Sequence, residues 1–239
     1  MTFHPSKCKV LSVTLQRNVL DNLPFNIYWY NLNEVIIDYV ASHTDLGVIM
    51  TNRFLWGAHC DQLVSKASSK LGLLKRTCHF TTNKRQKRAF YLTIVRSICT
   101  HCSVIWCPQQ STHLLKFEAI QKRAIKWING QQFDHYSDIV FHEKQKELKI
   151  LPIRLKFIHN SITLFYKIVN GLVSISLPEY ITVAETGTMR YTRSTAPVID
   201  GLDTSTYTCS VVPNCDSFRN SFFYRTMLLW NTLPAHVRQ

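Results

Sequence analysis

Residues 62–127 have the sequence QLVSKASSKLGLLKRTCHFTTNKRQKRAFYLTIVRSICTHCSVIWCPQQSTHLLKFEAIQKRAIKW, and this stretch decides the fold. Apolar residues recur in it at steps of three and four, the spacing of one face of an α-helix. They form two sets: Leu63, Ala67, Leu71 and Leu74, followed by Phe117, Ile120, Ala124 and Trp127. Each set is expected to face a core, with cations on the remaining faces. The stretch therefore predicts a helical module.

The same stretch is strongly basic. It holds thirteen lysines and arginines and a single acid, Glu118, so its formal excess of +12 is nearly the whole +13 of the 239-residue chain. Exposed helices usually mix the two signs and gain from Glu–Lys pairs. Without such acids the cations repel one another until a polyanion binds. We expect that polyanion to be nucleic acid, with an acidic protein surface or membrane headgroups as alternatives.

Composition describes a folded protein. Hydrophobic residues make up 46% of the chain and charged residues 18%, which excludes a disordered tail. The length allows one large domain or two ordinary ones. No signal peptide opens the chain, and the apolar run 89–107 contains Arg96 and His101, so a buried amphipathic helix is expected there and no membrane partner.

The eight cysteines are scattered and do not form a disulfide framework, so a reducing intracellular compartment is expected, nucleus or cytoplasm. Cys99, Cys102 and Cys107, with His101 among them, suggest a zinc site as an alternative. A matching second ligand pair is missing from the sequence, and Cys99 and Cys102 are predicted one turn apart on an apolar helix face. There a cysteine packs as a small hydrophobe. We expect core cysteines and no metal or other cofactor in this chain.

The first 55 residues carry strand patterns. Residues 7–15 alternate polar and apolar, and the runs 25–30 and 34–40 on either side of 31–33 suggest a hairpin. Residues 45–50 read as another short strand. Because these strands are too few to close a sheet, we expect the chain to begin near the end of a domain.

Helical periodicity takes over at residue 56. Helices are predicted over 56–78, 83–106, 111–129 (capped by Ser111), 136–148 and 152–171. The inner side of the last is expected to hold Leu155, Ile158, Ile162, Phe165, Ile168 and Val169. An irregular arm over 178–216, with one short strand over 194–199, leads to a final helix over 217–230. The predicted class is α+β, predominantly α, with domains at 1–55, 56–130 and 131–239.

No complete active site can be assembled from these residues. None of the 15 acids forms the close Asp–Asp pair that holds two magnesium ions for phosphoryl chemistry, and no glycine-rich phosphate loop is present. His59 and Asp61 flank Cys60, but adjacent residues on a helix do not face each other. The chain is not expected to catalyse a reaction by itself.

Short motifs follow one another in an order typical of one family. They are HPSKCKVL (4–11), DLGV (45–48), KASSKLGLLKR (66–76), IWCP (105–108), EAIQKRA (118–124), LPIR (151–154), YKIVNG (166–171) and LWNTLP (229–234). Together they resemble the C-terminal portion of the reverse transcriptases of non-LTR retrotransposons, especially the jockey-like branch.

The resemblance implies an RNA-directed DNA polymerase. Residues 1–55 would be the end of its palm, with a primer-grip-like hairpin at Leu46, Gly47 and Val48, and residues 56–130 its thumb. The Mg²⁺ ions of the intact enzyme would be bound by a Phe/Tyr-x-Asp-Asp turn upstream of Met1, in another part of the same polyprotein. Lys7 matches the lysine that helps to protonate the leaving pyrophosphate. An exposed strand-edge lysine is the alternative.

The thumb of such an enzyme follows the backbone of the template–primer duplex, which agrees with the charge pattern. Non-specific binding of an RNA–DNA hybrid or duplex, without polymerase activity, is therefore expected of this chain. The residues expected to bind are Lys66, Lys70, Lys75, Arg76, Lys84, Arg85, Lys87, Arg88, Lys122, Arg123 and Lys126. The alternative is a non-catalytic basic helical adaptor that binds an acidic protein.

Overall fold

The structure, a computed structural model, describes residues 4, 8–13, 30–32, 34–78, 83–130, 138–184 and 206–238, with the backbone alone at 138–140 and 235. Most of these residues are helical, and three small antiparallel hairpin-like sheets accompany the helices within the described ranges. The predicted class, α+β and predominantly α, is confirmed. The chain forms two compact units, Met1–Cys102 with Gln110–Ile150 and Ser103–Gln109 with Leu151–Gln239. The domain boundaries proposed from the sequence stay predictions.

The elements follow in chain order. The strands are β1 (Asn31–Leu32), β2 (Val35–Ile36), β3 (Ser42–Asp45), β4 (Val48–Thr51), β5 (Ile181–Val183) and β6 (Tyr207–Cys209). The helices are α1 (Gly57–Thr77), α2 (Lys84–Phe90), a π-helical turn (Tyr91–Val95), α3 (Arg96–Thr100), α4 (Ser103–Trp106), α5 (Ser111–Ile128), α6 (Asp138–Glu147), α7 (Ile153–Val169), α8 (Asp216–Arg219), α9 (Phe222–Asn231) and α10 (Ala235–Arg238).

The first unit contains two short hairpins whose strand bounds differ from those predicted from the sequence. β1 pairs with β2, so Asn31 and Leu32 lie in a strand and not in the predicted loop. The chain instead reverses around Glu34, which has a φ of 66°. A positive φ at a glutamate carries no clear sequence signal, because glycine and asparagine are the residues that usually adopt it.

The second hairpin replaces the single strand predicted over 45–50. β3 pairs antiparallel with β4, with Asp45 opposite Val48. Between them Leu46 and Gly47 have φ values of 47° and 82°, the two positive values that a type I′ turn requires. Glycine adopts this conformation readily, whereas leucine seldom does. Because a leucine stands at the first turn position, the turn has no clear signal in the sequence.

Several predicted features lie outside the described residues. They are most of the strands predicted over 7–15 and 25–30, the strand predicted over 194–199, and Lys7. Within 8–13, Val10 forms one parallel bridge with Tyr39.

The long helices agree closely with their predicted bounds. α1, α5, α6 and α7 each begin and end within two residues of the prediction, and Gly130 ends α5 with a φ of 72°. The predicted cap of α5 is wrong by one residue. Gln110 occupies the cap position with extended backbone, and Ser111 is the first helical residue.

The helix predicted over 83–106 is not continuous. α2, the π-helical turn and α3 run to Thr100, and Cys102 then adopts a φ of 49° before α4 begins. Cys99 is buried in α3, whereas Cys102 lies beyond the end of that helix and is partly exposed. The two cysteines therefore do not share one helix face as predicted.

The core of the first unit lies where α1 packs against α5, the π-helical turn and α3. The apolar set predicted on α1 is buried, and so are Phe117, Ile120 and Ala124 on α5. Trp127, assigned to the same face from its spacing, is only partly buried. Ile125 and Ile128 complete the buried face instead.

In the second unit, α7 packs against α4 and α9. Phe165, Met227 and Trp230 form its core with Ile181 of β5 and Tyr207 of β6. The β5–β6 pair was not predicted, because each strand has only three residues and its partner is distant in sequence.

Two further predictions in this unit are corrected. Leu155, placed on the inner side of α7, is 47% exposed, and the buried face is centred on Ile153, Phe157 and Ser161 instead. The final helix predicted over 217–230 is interrupted, because α8 ends before Asn220 and α9 begins after Ser221.

Candidate nucleic-acid interface

Helices α1 and α5 lie side by side and run in the same direction. Lys116 of α5 bonds Asp61 near the start of α1, and Arg123 bonds Ser68 about two turns further along both helices. At the end of the pair, Lys75 of α1 lies within electrostatic range of Arg123 and Lys126. The line where the two helices meet is therefore lined by side chains from both, and its charge changes along its length.

Cations gather at the carboxyl end of this line. Burial lowers the pKa of Lys75, and the like charges of Arg123 and Lys126 lower it further. The guanidinium of Arg123 donates to the Ser68 hydroxyl at 3.0 Å and to the Ala119 carbonyl at 3.4 Å, both neutral acceptors. Three cations from two helices thus share one small surface.

An aromatic ring lies beside these cations. The Nζ atom of Lys87, on α2, lies 5.7 Å from the centre of the Trp127 ring. Trp127 follows Arg123 by one helical turn, so its ring lies on the same side of α5 as Arg123. We call Lys75, Lys87, Arg123 and Lys126 the basic seam.

At the amino end of the line the charge is neutralised. Lys116 Nζ lies 2.5 Å from Asp61 Oδ1, and His113 Nδ1 lies 4.0 Å from the same oxygen. The hydrogen bond from Lys116 lowers the pKa of Asp61, which is therefore a carboxylate at neutral pH. The sequence missed this pair because its members are 55 residues apart and Asp61 immediately precedes the basic stretch.

Other predicted binding residues lie away from the seam. Lys66 and Lys75 are nine residues apart, about two and a half helical turns, so they project from opposite sides of α1. Lys70 follows Lys66 by one turn on that other side, and Lys66 donates to Gln62 at 3.2 Å. Lys122 Nζ lies 5.3 Å from the ring centre of Phe141, on the flank of α5 that faces α6.

Two cations of α2 interact with α6 and the residues that follow it. Arg88 donates from Nε to the Leu148 carbonyl at 2.5 Å and from Nη2 to the Lys149 carbonyl at 3.3 Å. It therefore caps the carboxyl end of α6. The hydrogen bond from Lys144 lowers the pKa of Glu147, and Lys84 lies close enough to that carboxylate to add a smaller effect.

Two predicted cations are simply exposed. Arg76 lies in the last turn of α1, and Arg85 lies in the first turn of α2, where its backbone N–H donates to the Asn83 cap.

Two histidines connect the β3–β4 hairpin, predicted from the sequence as primer-grip-like, to the rest of the first unit. The N–H at His101 Nε2 donates to the carbonyl of Leu46 at 3.0 Å, and the backbone N–H of Ile49 donates to His59 Nδ1 at 3.3 Å. Leu46 itself is 84% exposed at the turn, whereas Val48 is buried. Burial lowers the pKa of His59, and the neighbouring His101 and Lys66 add to the shift.

Two buried side chains of the first unit, Cys99 and Tyr91, have strongly shifted pKa values. Burial raises the pKa of the Cys99 thiol to about 12 and also raises the pKa of Tyr91, so both stay protonated at neutral pH. Among the residues with described positions, no three His, Cys, Asp or Glu side chains are grouped closely enough to hold a metal ion.

Comparisons with models of protein families, with curated proteins and with solved structures give no match. None of the helices that the structure describes combines the length and apolar character needed to span a bilayer. The chemistry of the interface therefore follows from its own residues. Its cations attract anions, and it presents one aromatic ring beside them.

Proposed function

We propose that the chain binds nucleic acid non-specifically through phosphate contacts at the basic seam, as the thumb-like part of an RNA-directed DNA polymerase. The observation that carries the proposal is the grouping of Lys75, Arg123 and Lys126, three cations from two helices that lie within electrostatic range of one another; burial lowers the pKa of Lys75, and the two like charges lower it further. Cations held together in this way bind a chain of phosphates more favourably than they bind water.

The contacts at the seam suit phosphates better than bases. Lysine acts as a mobile point charge, and base recognition usually relies on bidentate arginine, asparagine or glutamine side chains that enter a groove. The seam lies along two parallel helices and holds one arginine, whose guanidinium is already oriented by Ser68. Such a surface positions a duplex without selecting its sequence.

The polymerase assignment rests on the ordered motifs. An RNA–DNA hybrid or duplex is the proposed partner, and an upstream palm of the same polyprotein would supply Mg²⁺ and the catalytic aspartates. The eight free cysteines fit a reducing intracellular compartment. For the 239-residue chain alone we propose binding without nucleotide incorporation, which a primer-extension assay with magnesium tests directly.

A salt titration of duplex binding is the decisive experiment. Four seam cations that each neutralise a phosphate give a log–log slope of about −3 to −4, since each contact contributes roughly −0.9. Replacing all four by glutamine should flatten the slope and abolish tight binding. A slope near zero for the unmodified chain would reject the proposal.

The matched control removes the same charge elsewhere. Lys146, Lys149, Arg154 and Lys167 are exposed and lie outside the seam. Their replacement by glutamine should leave most of the slope in place. An equal loss in both variants would mean that net charge, and not the seam, drives binding.

The second candidate is an adaptor for an acidic protein, and the same cation cluster supports it. Competition separates the two functions, because an unrelated duplex should displace a nucleic-acid partner and leave an adaptor complex intact.

A further inference from the structure

Trp127, the aromatic residue beside the basic seam, has no charge with which to bind a phosphate. Trp127 has the spacing of a core residue, yet it is only partly buried, while Phe117, Ile120 and Ala124 on the same predicted face are almost fully buried. Core packing therefore does not explain why the side chain of Trp127 is partly exposed.

The contact at the ring is polar. Lys87 Nζ lies over the ring of Trp127, and within the described ranges no other aromatic ring packs beside it. The lysine side chain is flexible, so its ammonium group can leave the ring and contact a phosphate. The ring face is then available to another group. Arg123, one helical turn earlier on the same side of α5, provides a further cation near that ring.

Cations around an aromatic face form the arrangement that binds an unpaired strand. The cations contact the backbone while a base stacks on the ring, and stacking is tolerant of sequence because every base has a π-face. A base inside a blunt duplex cannot reach the ring without leaving its own stack.

We propose that Trp127 is a stacking platform for an unpaired nucleobase, so that the seam prefers a duplex with a single-stranded extension to a blunt duplex. This inference rests on the proposed function, since the phosphate contacts place the strand beside the ring. Lys87 shifts from the ring to a phosphate when the base stacks.

The test compares a blunt duplex with the same duplex extended on one strand by a few unpaired nucleotides. Trp127→Ala should weaken binding of the extended duplex about tenfold and leave the blunt duplex unchanged. Because Trp127 carries no charge, the salt slope should stay the same for both. Trp127→Phe should restore most of the affinity, which separates stacking from misfolding of α5.

Trp56 is the matched control. It is also partly exposed and lies in the first unit, at the start of α1, beside Phe54 and away from the seam. Trp56→Phe should leave the quenching of tryptophan fluorescence by the extended duplex intact, and Trp127→Phe should remove most of it.

Two results would overturn the inference while the proposed function stands: salt-dependent binding that Trp127→Ala does not alter, or an equal loss on blunt and extended duplexes. Absence of salt-dependent binding to either nucleic acid would overturn both.

Discussion

Neutralising Asp61 should strengthen nucleic-acid binding. Its carboxylate accepts a hydrogen bond from Lys116 at 2.5 Å and so withdraws one cation from the line between α1 and α5. In Asp61→Asn that attraction is lost, and Lys116 becomes available to a phosphate at the amino end of the line between α1 and α5. Both side chains are about half exposed, so the change should cost little stability.

The size of the gain follows from counterion release. One additional phosphate contact steepens the log–log salt slope by about 0.9, which is about a factor of eight for each tenfold fall in salt. Between about 1 M and about 0.1 M salt the variant should therefore gain about eightfold over the unmodified chain. Fluorescence anisotropy of a labelled duplex across a salt series measures both the slope and the affinity.

Two controls show whether Lys116 is responsible. Asp61→Asn combined with Lys116→Gln should return to the original slope. Asp216→Asn makes the same charge change beside Arg219, 3.4 Å away in the second unit, and should have little effect. If Asp61→Asn and Asp216→Asn raised the affinity for the duplex equally, or if Asp61→Asn did not raise it, the reasoning that Lys116 can contact a phosphate would be refuted.

Further substitutions test the site and the fold. Lys75→Gln should weaken duplex binding about eightfold at about 0.1 M salt, whereas Lys66→Gln, on the opposite side of α1, should have a smaller effect, and anisotropy titrations of the pair decide this. Arg88→Ala removes two bonds to carbonyl groups and should lower the free energy of unfolding by roughly 1.5–3 kcal/mol in urea, with the salt slope of the folded protein unchanged. The pKa of His59 is lowered below its ordinary 6.5, so the unfolded chain binds the proton more tightly and stability should fall as pH drops below about 6.5. His59→Asn keeps a side-chain acceptor for Ile49 and should remove that pH dependence in thermal melts, and an unchanged acid sensitivity would contradict the assignment.

The features predictable from the sequence are those set by local periodicity. Leu63, Ala67, Leu71 and Leu74 are buried because their spacing places them on one face of a long helix, and any partner helix would cover that face. The end of α5 was equally predictable, because Gly130 adopts a positive φ that glycine tolerates without strain. Local rules decide such features before any tertiary contact forms.

The features that were missed depend on contacts between distant residues or on strained backbone. The turn at Leu46, the interruption at Cys102 and the reversal at Glu34 all use positive φ values at residues that seldom adopt them. The basic residues illustrate the other cause. Sequence order groups Lys66 with Lys75, yet the helix turns them in opposite directions, while Lys75 and Lys126 meet only because α1 and α5 pack in parallel.

The parallel packing of α1 and α5 also explains how the folded chain tolerates such a concentration of charge. Both helices end at the seam, because Lys75 lies in the last turn of α1 and Lys126 lies in the last turn of α5. Each carboxyl end carries about half a negative charge from its helix dipole, worth roughly 0.3–1 kcal/mol to a nearby cation. Two such ends offset part of the repulsion between Lys75 and Lys126. An anion bound at the seam would offset the rest of the repulsion, which adds to the effect of burial in lowering the pKa of Lys75.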